Sequence, residues 1–454
     1  MIVSIETPVA KGAFLHSCVR SVLAQTDDRW RFSLWWDGGD ESSRRILAEI
    51  EALDHPSITV RFGEQRGIAG ARRALTESSC GEYILPLDDD DCLAPDAVAG
   101  FLDAAGRAPW AGVVRARRVF IDEGGQRVDE ADWFPFAPRR YYSGMTVDLL
   151  NHAQPTLIAR HAYDRTSGWE GFPDYGGAGE DCDMVAKIEE VADVVLLDRC
   201  LYHYRLHPGR ASHALGEPAA VDMWRRIADA TARRRGLSLQ RVNARQPFNY
   251  ARLRRAALDG AAVACATVRS GAEAAAALND ADGAALCLVD SGMDGSEAQV
   301  LAGLLEALQA TDADVAAAFA ADAKERPLPR PLPHSPSSAG PGKPLEGMDD
   351  QRVPGCRAVL LRREVWRSMA GPDAALRSAA AVLADLVVRA RLRGFDCRVL
   401  PFPVAGGNAE GVPVEDRDRL VRRWRSLQVP LRAGAHGANA PRRSAVASAP
   451  EAGR

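Results

Sequence analysis

The nine cysteines of this 454-residue chain are scattered, and none of them forms a C-x-x-C pair. Paired cysteines are the usual ligands of structural zinc and the usual frame of small secreted domains. The sequence therefore favours neither a zinc site nor a disulfide framework, and a reducing, cytoplasmic compartment fits it best.

The chain also lacks a long apolar run and an excess of basic residues. No stretch is long enough to span a bilayer, and the first residues have neither the basic nor the apolar region of a signal peptide. The net charge of -4 gives no electrostatic footprint for nucleic acid. Peripheral contact with a membrane is left open.

The length exceeds one ordinary core, so at least two domains are expected. Strands alternate with helices through residues 1–120, which predicts an α/β fold with a mostly parallel sheet flanked by helices. We expect a first domain over residues 1–240 and a second, smaller α/β domain over 241–430. The segment 327–344 is rich in proline and is expected to be a loop, and residues 431–454 a disordered tail.

Four consecutive carboxylates, Asp88–Asp91, follow an apolar strand that includes Leu85. Like charges this close repel one another, so the run is either a solvated surface turn or a site that meets a cation. Carboxylate oxygens suit Mg²⁺ and Mn²⁺, and ligands of open α/β sheets bind beyond the carboxyl ends of the strands. The run by itself leaves both interpretations open.

Further polar motifs are predicted at the same edge of the sheet. In chain order these are Asp37–Asp40, Gly67–Arg73, Gly81–Asp91, Gly179–Asp181 and Tyr202–His207, preceded by the helical segment Ser21–Thr26. Their order and spacing over residues 1–215 resemble those of a family 2 glycosyltransferase of the GT-A fold. Each motif is weak alone, and together they are a specific signal.

The resemblance implies a donor site for a nucleotide sugar, with Mn²⁺ or Mg²⁺ at its diphosphate. Asp88 and Asp90 match the family's D-x-D motif. Asp90 is therefore the expected metal ligand, and Asp88 and Asp89 are expected at the ribose, at a metal-bound water or in support, while Asp91 is expected to serve only the turn. His207 matches a histidine that reaches the metal in some relatives. The remaining donor-binding positions are Pro8 and Val9, expected in the loop after the first strand, with Asp37, Gly67 and Arg72.

Asp181 matches the family's catalytic base. A carboxylate in that place takes the proton of the acceptor hydroxyl, and a base opposite the leaving group implies inversion at the anomeric carbon. Each assignment has a plainer alternative. Asp181 could serve only the N-terminus of a helix predicted to start at Asp183, Asp37 a turn, Arg72 a solvated helix face, and His207 could be a packed or surface residue.

The second half of the chain resembles a shortened, degenerate copy of the first. The segment Leu286–Gly292 echoes the acidic strand end, but Gly292 stands where the second metal carboxylate is expected, and Leu383 stands at the base position. This copy is therefore not expected to catalyse. Dimerisation, docking, acceptor binding and simple cover for the first domain are open roles.

The sequence thus predicts a metal-dependent, inverting glycosyltransferase in glycan, cell-surface polysaccharide or glycoconjugate biosynthesis. Its partners would be a nucleotide-sugar donor and an acceptor that is a glycan, a lipid-linked sugar or a small molecule. One alternative is a nucleotidyltransferase, which would want a basic, glycine-rich first loop that Thr7–Ala10 does not supply. The other is a non-catalytic nucleotide-sugar-binding protein, which the intact Asp88, Asp90 and Asp181 oppose.

Overall fold

Two large β-sheets organise the chain in the computed structural model. The model describes residues 1–129, 141–142, 145–146, 155–210, 216–237, 239–241, 250–252, 258, 262–293, 297–311, 313–320, 355–392, 395–402, 412–427 and 431–432. The strands are β1 (Val3–Val9), β2 (Trp30–Trp36), β3 (Ile58–Phe62), β4 (Tyr83–Pro86), β5 (Cys92–Leu93), β6 (Ala111–Ile121), β7 (Arg127–Asp129), β8 (Tyr141–Tyr142), β9 (Met145–Thr146), β10 (Thr156–Ala159), β11 (Asp193–Arg205), β12 (Leu239–Arg241), β13 (Tyr250–Arg252), β14 (Val263–Val268), β15 (Ala285–Asp290), β16 (Val315–Ala320), β17 (Cys356–Arg362), β18 (Cys397–Phe402) and β19 (Leu431–Arg432).

Helices cover both sheets. They are α1 (Leu15–Leu23), α2 (Glu41–Glu51), α3 (Gly67–Ser78), α4 (Ala97–Arg107), α5 (Arg160–Tyr163), α6 (Glu180–Val191), α7 (Gly216–Arg235), α8 (Gly271–Asp280), α9 (Glu297–Thr311), α10 (Arg363–Arg367), α11 (Ala379–Leu392) and α12 (Val414–Ser426). None of these helices has both the length and the apolar character needed to cross a bilayer.

The first sheet has ten strands, with the order β19-β11-β6-β10-β4-β1-β2-β3 along its main path. Strands β4, β1, β2 and β3 are parallel, and β10 runs antiparallel between β4 and β6. Every residue of β1 is buried, as expected for a parallel sheet with helices on both faces. The predicted α/β class with a mostly parallel sheet is therefore confirmed.

The parallel strands end at one edge, where the loops that follow them meet. The prediction that Pro8 and Val9 lie in the first of these loops is wrong. Both residues are buried within β1, and the side chain of Val9 belongs to the hydrophobic core. The strand continues to Val9 because this residue still pairs with Trp36 of β2, so the loop begins at Ala10.

The second sheet repeats the central part of the first. Its order is β14-β15-β17-β16-β18, with β17 antiparallel to both neighbours and the outer pairs parallel. Strands β1, β4, β10, β6 and β11 follow the same chain order and the same directions. Among the described residues, the second sheet has no counterpart of β2 and β3.

Matching side-chain contacts accompany this matching order. Directly after β10, Arg160 donates from Nε to the carbonyl oxygen of Gly81, just before β4. Directly after β17, Arg363 donates in the same way to the carbonyl oxygen of Gly283, just before β15. The two units therefore agree in local detail as well as in topology.

The two units share one hydrophobic core through α6. One face of this helix packs on the first sheet with Met184, Val185 and Ile188, and the opposite face packs on the core of the second unit with Cys182 and Ala186. The second unit is therefore part of the environment of α6 and not a separately tethered module.

A buried ion cluster joins the two units beside this core. Arg423 on α12 donates to Asp193 at the start of β11, at 2.8 Å, and to Asp385 on α11, at 3.1 Å. All three side chains are buried. Because separating the units would take this buried cation away from Asp193, the contact opposes their separation.

The strand β19 corrects the prediction of the C-terminal tail. Leu431 and Arg432 pair with Leu197 and Asp198 of β11, so these two residues are part of the first sheet. The rest of the predicted tail and the proline-rich segment 327–344 lie outside the described residues.

One acidic side chain lies in the buried strand β1. Glu6 is 1% exposed, and its carboxylate accepts hydrogen bonds from the hydroxyls of Thr76 at 2.5 Å and Ser79 at 2.6 Å. Burial raises the pKa of Glu6 from 4.5 to about 7, against the lowering effect of these hydroxyls and of Arg160. The fold therefore favours the protonated acid more than water does.

Replacing Glu6 should remove a pH dependence from the free energy of unfolding. Because the pKa of Glu6 is raised in the folded chain, its contribution to stability is present below pH 4.5 and is lost as the pH rises through about 7. The advantage of Glu6→Gln over wild type should thus grow by about 3 kcal/mol across that range, at about 1.4 kcal/mol per pKa unit. Denaturant unfolding at a series of pH values measures it. A difference that stays constant with pH, as expected for the exposed control Glu51→Gln, would contradict the assignment.

Candidate active site

The acidic run forms a tight turn between β4 and β5. The N–H of Asp91 donates to the carbonyl oxygen of Asp88 at 3.2 Å. Asp88, Asp90 and Asp91 each offer a carboxylate oxygen within 4.8 Å of the others. The sequence predicted that Asp91 serves only the turn. The structure shows that it also belongs to the acidic cluster.

Asp89 points to the first loop instead of the cluster. Its Oδ2 accepts hydrogen bonds from the N–H groups of Ala10 and Lys11, both at 3.0 Å. Burial raises the pKa of Asp89 to about 7, and the two N–H groups oppose this rise. Asp89 therefore holds the loop after β1 against the acidic turn, which is a supporting place.

Strand β11 fixes the turn from the other side. Asp91 accepts a hydrogen bond from the N–H of Arg205 at 2.7 Å, and Arg205 Nε donates to the carbonyl oxygen of Asp90 at 2.8 Å. The hydroxyl of Tyr202 accepts from the N–H of Asp88 at 3.3 Å. The motif Tyr202–His207 thus meets the acidic run, as its position in the sequence predicted.

The cluster has the properties of a cation site. Burial, followed by repulsion from neighbouring carboxylates, raises the pKa of Asp90 and of Asp91. His207 Nε2 lies 2.9 Å from Asp90 Oδ2 and offsets part of that rise. Carboxylates and an imidazole are acceptable ligands for Mn²⁺, and carboxylates suit Mg²⁺. A divalent ion would relieve the repulsion, so these residues fit one.

Arg72 links the acidic turn to α6. It is 2% exposed, and it donates from Nη2 to Asp88 at 2.6 Å and from Nε to Glu180 at 3.1 Å. Burial lowers and the two carboxylates raise the pKa of Arg72, with a net shift upward. Arg72 is therefore a permanent cation beneath the site and not a solvated helix charge. The sequence motif contained Glu180, but sequence reasoning did not single it out.

Asp181 lies in the first turn of α6. The helix begins at Glu180, earlier than the predicted start at Asp183, and the preceding Gly179 has the positive φ of +86° that favours glycine. Burial raises the pKa of Asp181, Arg72 lowers it and Asp88 raises it. The predicted base thus shares the electrostatic field of the acidic turn.

Asp37 follows β2 and Gly67 follows β3, so both lie at the same edge of the sheet as the acidic turn. Asp37 is buried, and its Oδ1 accepts a hydrogen bond from the N–H of Arg66 at 2.6 Å, at the entrance to α3. Gly67 opens that helix with a φ of +70°, which an L side chain rarely adopts. Asp37 therefore shapes the turn, and its contact to a nucleotide base stays a prediction.

These observations agree with the features that the sequence predicted for the first unit. A mostly parallel sheet, an acidic turn after β4 and a carboxylate at the start of α6 are the features expected of a GT-A glycosyltransferase domain. Residues 9–165 match the family model described as Glycosyl transferase family 2.

Two curated proteins place this match in context. The chain is 30% identical over 260 residues to the uncharacterized protein y4gI of Sinorhizobium fredii, over 55% of this chain and 27% of that protein. It is 29% identical over 207 residues to a chondroitin synthase of Escherichia coli, over 45% of this chain and 29% of that protein. The matches thus span less than a third of these relatives' length.

A solved structure shows a weaker likeness. The mannosyltransferase PcManGT from Pyrobaculum calidifontis, in complex with GDP-Man and Mn²⁺, is 16% identical with a TM-score of 0.40. The match covers 54% of this chain and 66% of that one. A TM-score this low supports no conclusion, so the fold assignment depends on the strand order and the family match.

Removing the buried cation should destabilise the first unit. Arg72→Met leaves the carboxylates of Asp88 and Glu180 without their counter-charge, and the free energy of unfolding should fall by about 3 kcal/mol. Adding Glu180→Gln should restore part of that loss. Denaturant unfolding measures both variants, and Arg45→Met, on the exposed face of α2, is the control. An equal loss in the control, or none in Arg72→Met, would contradict the bridging role.

Proposed function

We propose that this chain is a metal-dependent, inverting glycosyltransferase that moves a sugar from a nucleoside-diphosphate donor to an acceptor hydroxyl. The observation that carries the proposal is the bridge of Arg72, which connects the acidic turn at Asp88 to the start of α6 at Glu180 and Asp181. A cation site and a base that are held close together can act on the same substrate pair.

Asp90, with Asp88 and His207, would hold Mn²⁺ or Mg²⁺, and Asp91 is close enough to join them. When bound, such an ion stabilises the negative charge that develops on the diphosphate leaving group. Attraction between the ion and the carboxylates would also offset the repulsion that raises the pKa of Asp90.

Asp181 would accept the proton of the acceptor hydroxyl at a carboxylate oxygen. Burial raises the pKa of Asp181, and a more basic carboxylate is a better proton acceptor near neutral pH. The positive charge of Arg72 opposes that rise, which favours the ionised form of the base. A base on the face opposite the leaving group produces inversion.

We infer that the second unit is a copy without a donor site. Asp290 at the end of β15 is bound by Arg357 at 2.7 Å, and Gly292 offers no carboxylate at the position that corresponds to Asp90. Leu383, at the position expected for a base, is fully buried. The described part of this unit has no counterparts of β2 and β3, the strands that Asp37 and Gly67 follow. The core shared through α6 and the cluster at Arg423 support cover for the first unit as its role.

Removing the predicted metal ligand should abolish both ion binding and transfer. Asp90→Ala should weaken Mn²⁺ binding and lower turnover, each by about 100-fold or more, because a residue that binds the metal directly is lost. Calorimetry with Mn²⁺ and transfer from a panel of nucleotide sugars measure the two effects.

The matched control is Asp290→Ala, which removes the acid from the corresponding strand end of the second unit. It should retain Mn²⁺ affinity and turnover. Full activity of the wild type in excess chelator would contradict the metal dependence.

Removing the base should separate binding from transfer. Asp181→Asn should bind the donor as wild type does and lose about 10²- to 10⁴-fold in transfer, because the amide cannot take a proton. Thermal stabilisation by nucleotide sugars with Mn²⁺ reports binding, and product formation reports transfer. The control is Asp103→Asn on the exposed side of α4. Wild-type transfer in Asp181→Asn would place the base elsewhere. Donor binding without transfer in the wild type would favour the non-catalytic alternative.

A further inference from the structure

Three buried polar side chains form a hydrogen-bond chain beneath the candidate site. They are Glu6 on β1, Thr76 on α3 and Trp169, which precedes α6, and each is at most 2% exposed. Trp169 Nε1 donates to Thr76 Oγ1 at 2.9 Å, and the Thr76 hydroxyl donates to Glu6 Oε2 at 2.5 Å. These two hydrogen bonds therefore connect α3 to β1 on one side and to the segment before α6 on the other.

The chemistry of the three groups fixes the direction of this chain. An indole N–H can only donate, so the oxygen of Thr76 must accept from Trp169. The Thr76 hydroxyl donates its single proton to the carboxylate of Glu6. The other carboxylate oxygen of Glu6 accepts from Ser79 at 2.6 Å, and Ser79 in turn accepts from Arg160 at 2.5 Å. One arrangement of donors and acceptors is thus favoured over its reverse.

The ring of Trp169 supports the guanidinium of Arg72. The Cζ atom of Arg72 lies 5.5 Å from the centroid of that ring, within the range of a cation–π contact. The carbonyl oxygen of Trp169 accepts from Arg73 Nη2 at 2.6 Å, so both the backbone and the indole of Trp169 are held. Since Arg72 Nη1 is buried without a hydrogen-bond partner among the described residues, the ring is a main support of the guanidinium besides Asp88 and Glu180.

We propose that Thr76 and Trp169, anchored by Glu6, are positioning residues that hold Arg72 where it orients Asp88 and Glu180. Packing alone does not require the hydroxyl of Thr76, because a valine would fill nearly the same space without the cost of burying a polar group. What the polar chain adds is a fixed orientation of the indole under the guanidinium. This inference rests on the proposed function of the site that Arg72 serves.

Two variants test the proposal, and the first of them nearly conserves the volume of the side chain. Thr76→Val and Trp169→Phe each remove one partner of the same hydrogen bond. Both should lower kcat by about tenfold or more, as loss of a supporting contact typically does, with little change in the KM for the nucleotide sugar. Thr76→Ser keeps the hydroxyl and should restore kcat. Mn²⁺ affinity, measured by calorimetry without turnover, should fall in both variants because Asp88 loses its fixed orientation.

The double variant distinguishes a connected chain from two separate packing effects. Thr76→Val with Trp169→Phe should be no slower than Trp169→Phe alone, because the hydrogen bond that Thr76→Val removes is already lost in Trp169→Phe. Ser4→Ala is the control. Ser4 is buried in the same strand as Glu6, but its hydroxyl accepts from the N–H of Gly81 at 3.0 Å, away from Arg72. This variant should lose stability while keeping kcat and Mn²⁺ affinity.

Wild-type kcat and Mn²⁺ affinity in both single variants would overturn the proposal, as would losses that multiply in the double variant. Failure of the proposed function has a different signature. If the wild type transfers no sugar, that function fails, and the Mn²⁺ affinities of the same variants still decide whether Thr76 and Trp169 position Arg72.

Discussion

The site depends on one buried cation between two carboxylates. Arg72 lies on α3, Asp88 follows β4 and Glu180 opens α6, so three elements from distant parts of the chain converge on a single guanidinium. A buried arginine is tolerated only when its charge is matched, and two buried or half-buried acids are tolerated only when a cation lies between them. The start of α6 is thereby held at a defined place relative to the acidic turn, and Asp181 with it.

The acidic turn itself is a source of repulsion that the fold maintains. Its backbone is held by β11 through Arg205 and Tyr202, so the carboxylates cannot move apart to lower their energy. Sites of this kind lower the stability of the fold, because favourable contacts elsewhere must offset the repulsion between their carboxylates. The long pairing of β11 with β6 and the double-sided burial of α6 are consistent with that requirement.

Several features could be predicted from the sequence because they depend on local pattern. The alternation of strands and helices, the acidic run after a buried strand and the Gly-Glu-Asp segment are each readable within about ten residues. Contacts between residues that are distant in the sequence could not be predicted in this way. Arg72 and Glu180 are 108 positions apart, and no periodicity signals that pair or the chain from Glu6 to Trp169. The end of β1 was misplaced for a related reason, because whether Val9 stays in the strand is decided by its partner Trp36.

The pairing of Leu431 and Arg432 with β11 has a consequence for the order in which the molecule matures during synthesis. The strand that anchors the acidic turn is bordered by residues made more than two hundred positions later, and the second buried face of α6 waits for the core around α11 and α12. A nascent chain that has completed only its first unit therefore still exposes an unpaired strand edge and an apolar helix face. The interval between emergence of β11 and emergence of β19 is the period in which this protein most needs protection from aggregation.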